Sequence, residues 1–298
     1  MDRQISYQIT KEYENLYIND FLKRQGYTHH VLVQLKKTEN GIVLNGNWAY
    51  VKDRIHEGDH LSILLKEPEY EQNIVPTAIP FGIIYEDEDI LVVDKPSGLP
   101  VHPSINHYEN TLSNAVIYYS AHKNESYPFR CINRLDRDTT GLTIIAKNML
   151  SAGILSSEIR DRILHRTYLA VCQGLTPEEG TIDAPIARKE ASTVERCVNF
   201  ETGEHAVTHY TRLAYDSKLD LSTIKLVLET GRTHQIRVHM KHINHPLIGD
   251  FLYNPDYQYI SRQALHSLCL DFIHPITKKE MHLASDLPDD LKRISSMI

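Results

Sequence analysis

Asn133-Arg134-Leu135-Asp136-Arg137-Asp138-Thr139-Thr140-Gly141-Leu142-Thr143-Ile144-Ile145-Ala146 joins a charged stretch to an apolar one without a break. The polar residues and the glycine that closes them predict a loop; residues 142–146 predict a buried strand. A charged loop anchored on a rigid strand is a good seat for a catalytic group. Arg134 and Arg137 flank Asp136 and would hold its carboxylate ionised. An ionised aspartate can act as a nucleophile. On spacing alone, an ordinary surface turn with ion pairs is the commoner meaning of such a window.

Around this stretch, residues 90–93, 168–172, 208–213 and 223–228 read as further strands. Residues 111–122, 152–162 and 233–242 read as helices. The two kinds of element do not alternate strictly. The expected class is therefore α+β, with a mixed, largely antiparallel sheet and flanking helices. Residues 1–67 read as a separate small module. Helical patterns cover 18–25, ended by Gly26, and 28–37, and short strands follow at 42–44 and 61–65. Asn45-Gly46 is a strong turn signal. A Pro- and Glu-rich stretch, 66–80, predicts a linker from about residue 68. The larger domain is expected over 81–298.

The chain has 298 residues, 41% of them apolar, enough for at least one large core. No apolar run reaches about 18 residues, so no membrane helix is expected. The first residues lack a secretory pattern, and a cytoplasmic protein is expected. Cys131, Cys172, Cys197 and Cys269 are widely spaced and read as reduced thiols. A net charge of −7 runs against the usual balance of nucleic-acid binders, so contact with phosphate would depend on local patches.

Four more windows carry candidate chemistry. In Glu229-Thr230-Gly231-Arg232-Thr233-His234-Gln235-Ile236-Arg237, Gly231 permits a sharp turn and Thr233 is a candidate N-cap. Arg232 would then sit at a helix N-terminus, where a cation calls for an anionic partner: a phosphate or Asp136. A solvated arginine fits equally well. Lys95-Pro96-Ser97-Gly98-Leu99-Pro100-Val101-His102-Pro103 is a shaped loop, structural or ligand-binding. Tyr168 could pack in the core or stack on a base. His234, His239, His242 and His245 lack the spacing of a helical zinc site, and no metal or other cofactor is expected.

Together these windows are far more specific than singly. Residues 133–141 resemble the His-Arg-Leu-Asp-x-x-Thr-Ser-Gly signature of the RluA/RluD-type pseudouridine synthases. Residues 231–237 resemble that family's Gly-Arg-Thr-His-Gln-Ile-Arg motif, and 85–96 its entry segment. His245-Pro246-Leu247-Ile248-Gly249-Asp250 and Leu265-His266-Ser267 with His274-Pro275 are similar to later motifs. The first segment, with Gln25-Gly26-Tyr27, Asn45-Gly46 and Gly58-Asp59, resembles an S4-type RNA-binding module. The resemblance implies isomerisation of uridine in ribosomal RNA, most naturally of the large subunit, or in transfer RNA, without a cofactor. It implies Asp136 as catalytic carboxylate, acting at C1′ of the ribose. Tyr168 would stack on the flipped base, and Arg232 would pair with Asp136 and hold the base out. Ile236 would wall the uracil pocket, and Arg134 would contact RNA. Arg237, Lys95 and His102 would join them in binding RNA or the base.

The match departs from the family at several positions. Asn133 replaces the usual His, Asp94 an Asn, Glu204 a common Lys, and His29-His30 a basic pair. Those departures would suit a catalytically idle RNA-binding or ribosome-assembly protein. The histidine group would suit a metal-dependent hydrolase. A monomer is expected, since no coiled-coil pattern is present.

Overall fold

The computed structural model describes residues 2–67, 74–104, 107–190 and 192–295. Part of the expected linker, 68–73, therefore lies outside the described residues.

The N-terminal unit is built from β1 (Arg3–Gln8), α1 (Ile18–Arg24), α2 (His29–Lys37), β2 (Ile42–Leu44), β3 (Asn47–Trp48) and β4 (His60–Leu65), with sheet order β1-β4-β2-β3. Asn45 and Gly46 both take positive φ, 49° and 82°, as a tight hairpin turn requires. Phe21 and Leu22 of α1, Val31 and Leu35 of α2, and Leu61 and Ile63 of β4 form its core.

The larger sheet comprises β5 (Gly82–Glu86), β6 (Ile90–Lys95), β7 (Thr140–Ala146), β8 (His165–Gln173), β9 (Glu179–Asp183), β12 (Val207–Asp216), β13 (Leu221–Leu228), β14 (Leu265–Ile273) and β15 (Glu280–Ala284). Its order is β5-β6-β7-β14-β8-β13-β12-β9, with β15 beside β14. Strands β10 (Ile186–Arg188) and β11 (Arg196–Val198) form a separate two-stranded ribbon. The helices are α3 (Leu112–His122), α4 (Met149–Arg160), α5 (Gln235–His242) and α6 (Asp289–Ser295). Every pair in the large sheet is antiparallel except β7 with β14. This is the mixed, largely antiparallel α+β arrangement expected from the pattern. Among the described residues, no helix is long and apolar enough to cross a membrane.

The parallel seam explains the glycine that closes the opening motif. Gly141 has φ +105°, and a Cβ there would lie 2.2 Å from the carbonyl oxygen of Ser267. Only glycine lets β7 approach β14 this closely. One residue away, buried Thr140 Oγ1 bonds His266 Nδ1 at 2.8 Å. Burial lowers the His266 pKa from 6.5 to about 4. The fold disfavours an imidazolium that the unfolded chain forms freely. This stabilisation is complete above about pH 6.5 and is lost as pH falls toward 4, a swing of about 3 kcal/mol. Urea titrations from pH 7 to 4 should show the wild type losing stability more steeply than His266→Asn. Parallel losses would rule this out.

The two units share apolar surface. Met149, Leu150 and Ile154 of α4 belong to the core of the N-terminal unit, whereas Leu155 belongs to that of the large sheet. A Cβ on Gly26 would meet Ile154 at 2.7 Å. Arg3 of β1 reaches across to both oxygens of buried Asp89, each at 2.9 Å, and Glu67 pairs with Arg130. The small unit is seated on α4.

Candidate active site

A cavity of about 570 Å³ opens where three chain segments converge: the 133–136 loop, the start of β8, and the turn from Gly231 into α5. The loop is pinned from below. Buried Asn133 donates to the Leu142 carbonyl at 2.9 Å and accepts from the Ile144 amide at 2.8 Å. Its side chain is spent on fixing the loop to β7, and this work needs no titratable group.

Asp136 retains 24% of its side-chain exposure at the cavity. Its Oδ2 accepts from Nη1 of Arg237 at 2.9 Å. Arg237, on α5, is only 1% exposed, and its Nε and Nη2 donate to Asp250 at 2.7 Å each. Asp250 is fully buried and also accepts from the Leu252 and Tyr253 amides. The guanidinium carbon lies 5.0 Å from the Tyr253 ring centre and 5.4 Å from that of Phe251. Burial opposes its charge, but the bonds to Asp250 and the charge of Asp136 outweigh that. They hold the group protonated well above its ordinary range. Its position and charge keep one carboxylate oxygen fixed, and Oδ1 has no hydrogen-bond partner among the described residues.

The expected pairing of Asp136 with Arg232 is therefore corrected. Arg232 lines the cavity, but its Nη1 pairs with Glu204 and its Nε donates to the His205 carbonyl at 3.0 Å. The reason lies in where the helix starts. Its N-cap is His234, in the left-handed conformation with φ 58°, not Thr233. Gln235 braces the turn: its Oε1 accepts from the Arg232 amide and Thr230 hydroxyl, and its Nε2 donates to the Val207 carbonyl. Arg237 thus lies in the first turn of α5, while Arg232 points outward from the turn before it.

Lys95 is corrected as well. Instead of facing RNA, it is fully buried and donates to the carbonyls of Pro96, Leu99 and Arg137 at 2.8–2.9 Å. Burial draws its pKa down to about 7, against the upward pull of Asp136. It ties the backbone after Asp136 to the 96–99 turn.

The other expected residues gather at the cavity. Tyr168 of β8 is buried, and its hydroxyl bonds to Ser267. Burial pushes its pKa up. Ile236, with Leu135, Leu228 and Leu265, supplies apolar wall. Arg134 is exposed at the mouth, with no ion-pair partner among the described residues. His102 also lines the mouth, edge-on to Phe129 at 5.2 Å; partial burial and the charge of Arg134 lower its pKa. The sequence reading gave no role to Asp250 or to His234. His234 lines the cavity, and its Nδ1 lies 3.0 Å from the Tyr253 hydroxyl. The Gly249-Asp250 match was the available signal for the first.

The α5 histidines do not form a ligand set. His239 is buried between Thr208 and the Ala184 carbonyl. Among the described residues, metal-like spacing brings together Asp87, Asp89 and His274. Their atoms are already bonded, Asp87 to His274 at 2.7 Å and to Tyr85, and Asp89 to Arg3 and Asn148.

Comparison with known proteins points to one family. A family model described as RNA pseudouridylate synthase matches residues 89–242. The chain is 37% identical over 279 residues to an uncharacterized RNA pseudouridine synthase, YjbO, of Bacillus subtilis, covering 93% of this chain and 97% of that one. It is 36% identical over 276 residues to ribosomal large subunit pseudouridine synthase D of Zymomonas mobilis, covering 87% and 86%. Among solved structures, human RNA pseudouridylate synthase domain containing 1 is similar with TM-score 0.57 and 25% identity, over 74% of this chain and 86% of that one.

Proposed function

Since the chain belongs to the RNA pseudouridylate synthase family, we propose that it converts uridines of large-subunit ribosomal RNA to pseudouridine, with Asp136 as the catalytic carboxylate. The observation that carries this reading is the carboxylate itself. It is fixed by a buried arginine on one oxygen and left open on the other, at a cavity of nucleotide size.

The target base is flipped out of its stack, at a cost of a few kcal/mol, into the cavity. Arg134 and Arg232 at the mouth offset that cost, and Tyr168 offers the ring against which the base rests. Asp136 acts at the ribose next to C1′ as the N-glycosidic bond breaks. The uracil turns, C5 bonds to C1′, the C5 proton leaves to solvent, and the freed N1 takes up a proton from solvent. Apolar walls from Leu135, Leu228, Ile236 and Leu265 place few directional bonds on the ring, so it can turn without escaping. Arg237 holds Asp136 in place through its bond to Oδ2.

In this reading residues 1–67 form an S4-like RNA-binding domain, joined through 68–80 to the catalytic domain, 81–298. The protein works as a cytoplasmic monomer. The large-subunit assignment leans on relatives called ribosomal large subunit pseudouridine synthase D. Transcripts of large-subunit RNA, small-subunit RNA and transfer RNA, each labelled with tritium at uridine C5, test it. Tritium release from the large-subunit transcript alone is expected. Release from transfer RNA alone would reassign the substrate, and release from none would remove the isomerase reading.

A further inference from the structure

A second depression of about 530 Å³ adjoins the catalytic cavity and shares Arg134, Gly231, Arg232 and Thr233 with it. Its far wall is the β10–β11 ribbon. Four guanidinium groups line it, those of Arg134, Arg188, Arg196 and Arg232, against the single carboxylate of Glu204. In a chain of net charge −7 this is a strong local inversion of sign.

The arginines are arranged at a cost. Arg188 and Arg196 sit directly opposite one another in the antiparallel register of the ribbon. Like charges in that position repel. Neither has an ion-pair partner among the described residues, although Lys189 and Glu195 beside them do pair. Arg196 reaches only the carbonyls of Val194 and Glu195, at 3.4 Å. Arg232 is the exception, and its partner Glu204 is 70% exposed, a contact worth little in water. An anion between the ribbon and the 231–233 turn would relieve the repulsion and could take Arg232 from Glu204.

We propose that this depression is a phosphate-binding subsite for the RNA backbone beside the flipped nucleotide, and that Glu204 is an internal anion which a backbone phosphate displaces from Arg232. The inference rests on the proposed function for the identity of the polyanion. A nucleotide entering the catalytic cavity brings phosphates on both sides, and the shared wall puts the four arginines next to that path. An acidic protein segment is the competing occupant. Glu204 then sets affinity rather than chemistry.

The test compares wild type, the Arg188→Gln/Arg196→Gln double variant, Glu204→Gln, and a two-charge control, Lys218→Gln/Lys225→Gln. Lys218 and Lys225 are exposed on the β12–β13 hairpin. Binding of unmodified large-subunit transcript is measured across a salt series, and KM and kcat at one salt. Circular dichroism checks folding. The arginine double variant should raise KM about tenfold or more with kcat retained. Its plot of log affinity against log salt should become shallower by about 1.4–1.8, the value for two lost phosphate contacts. Glu204→Gln should lower KM several-fold at unchanged kcat. An unchanged KM and salt slope in the arginine variant would overturn the subsite, as would an equal effect in the control. Unchanged RNA affinity with lost binding to poly-glutamate would assign the depression to an acidic protein. The binding series reads out even if wild type forms no pseudouridine, so failure of the isomerase reading is separable from failure of the subsite.

Discussion

Asp136→Asn is expected to lower kcat by more than about a thousandfold while leaving the melting temperature and RNA affinity close to wild type. Asparagine keeps the shape of the side chain, and its oxygen can still accept from Arg237 Nη1. What disappears is the negative charge, and with it both nucleophilic and basic character. Removing a group of this kind typically costs orders of magnitude in turnover. The fold should tolerate the change because Asp136 is partly exposed and because the Arg237–Asp250 pair survives it. Single-turnover tritium release, with thermal melts on the same preparations, checks both halves. Turnover within tenfold of wild type would move catalysis to another residue.

Arg237→Met is expected to damage stability and activity together. The guanidinium stands between two carboxylates, one of them, Asp250, fully buried. Methionine fills much of the volume but strands that carboxylate without a counter-charge, at a cost of about 3–5 kcal/mol. Urea titrations at pH 7 should show that loss. Adding Asp250→Asn should restore part of the stability without restoring turnover, because Asp136 would still lack its partner. Arg232→Ala, exposed and held only by Glu204 and the His205 carbonyl, should leave the melt nearly unchanged. If Arg237→Met proved as stable as wild type at pH 7, the buried triad would not hold the site together.

The contrast between these two arginines shows where local pattern stops informing. The loop at Asp136 and the strand behind it were readable because polarity and hydrophobicity change abruptly at Gly141. The pairing was not, because Arg232 and Arg237 occupy one motif and differ only in their place relative to the first turn of α5. That turn begins after a histidine in the left-handed conformation, held through Gln235, and side-chain propensity carries no signal of it. Lys95 misled for a related reason: a lysine beside Pro and Gly looks solvated, whereas the carbonyls of Pro96 and Leu99 in its own loop and of distant Arg137 enclose it. Thr111 was correctly read as the start of α3, since its capping box is local. Helix α4 begins earlier than expected, at Met149, because Asn148 caps it. The ribbon strands β10 and β11, of three residues each, are too short for periodicity to reveal.

The seating of the N-terminal unit on α4 has a consequence for scale. Ile154 and Leu155, adjacent in one helix, face different cores. The small unit is therefore held by a helix of the large one, and the connecting chain need not position it. Under the proposed S4-like role of that unit, the enzyme would behave as a calliper with both jaws fixed. An RNA whose contact point for the first unit lies too near the target uridine, or too far from it, meets only one jaw. Lengthening the connecting segment would leave that span unchanged, whereas Ile154→Asp would loosen the jaw and blur the choice among uridines before it slowed the chemistry at any one of them.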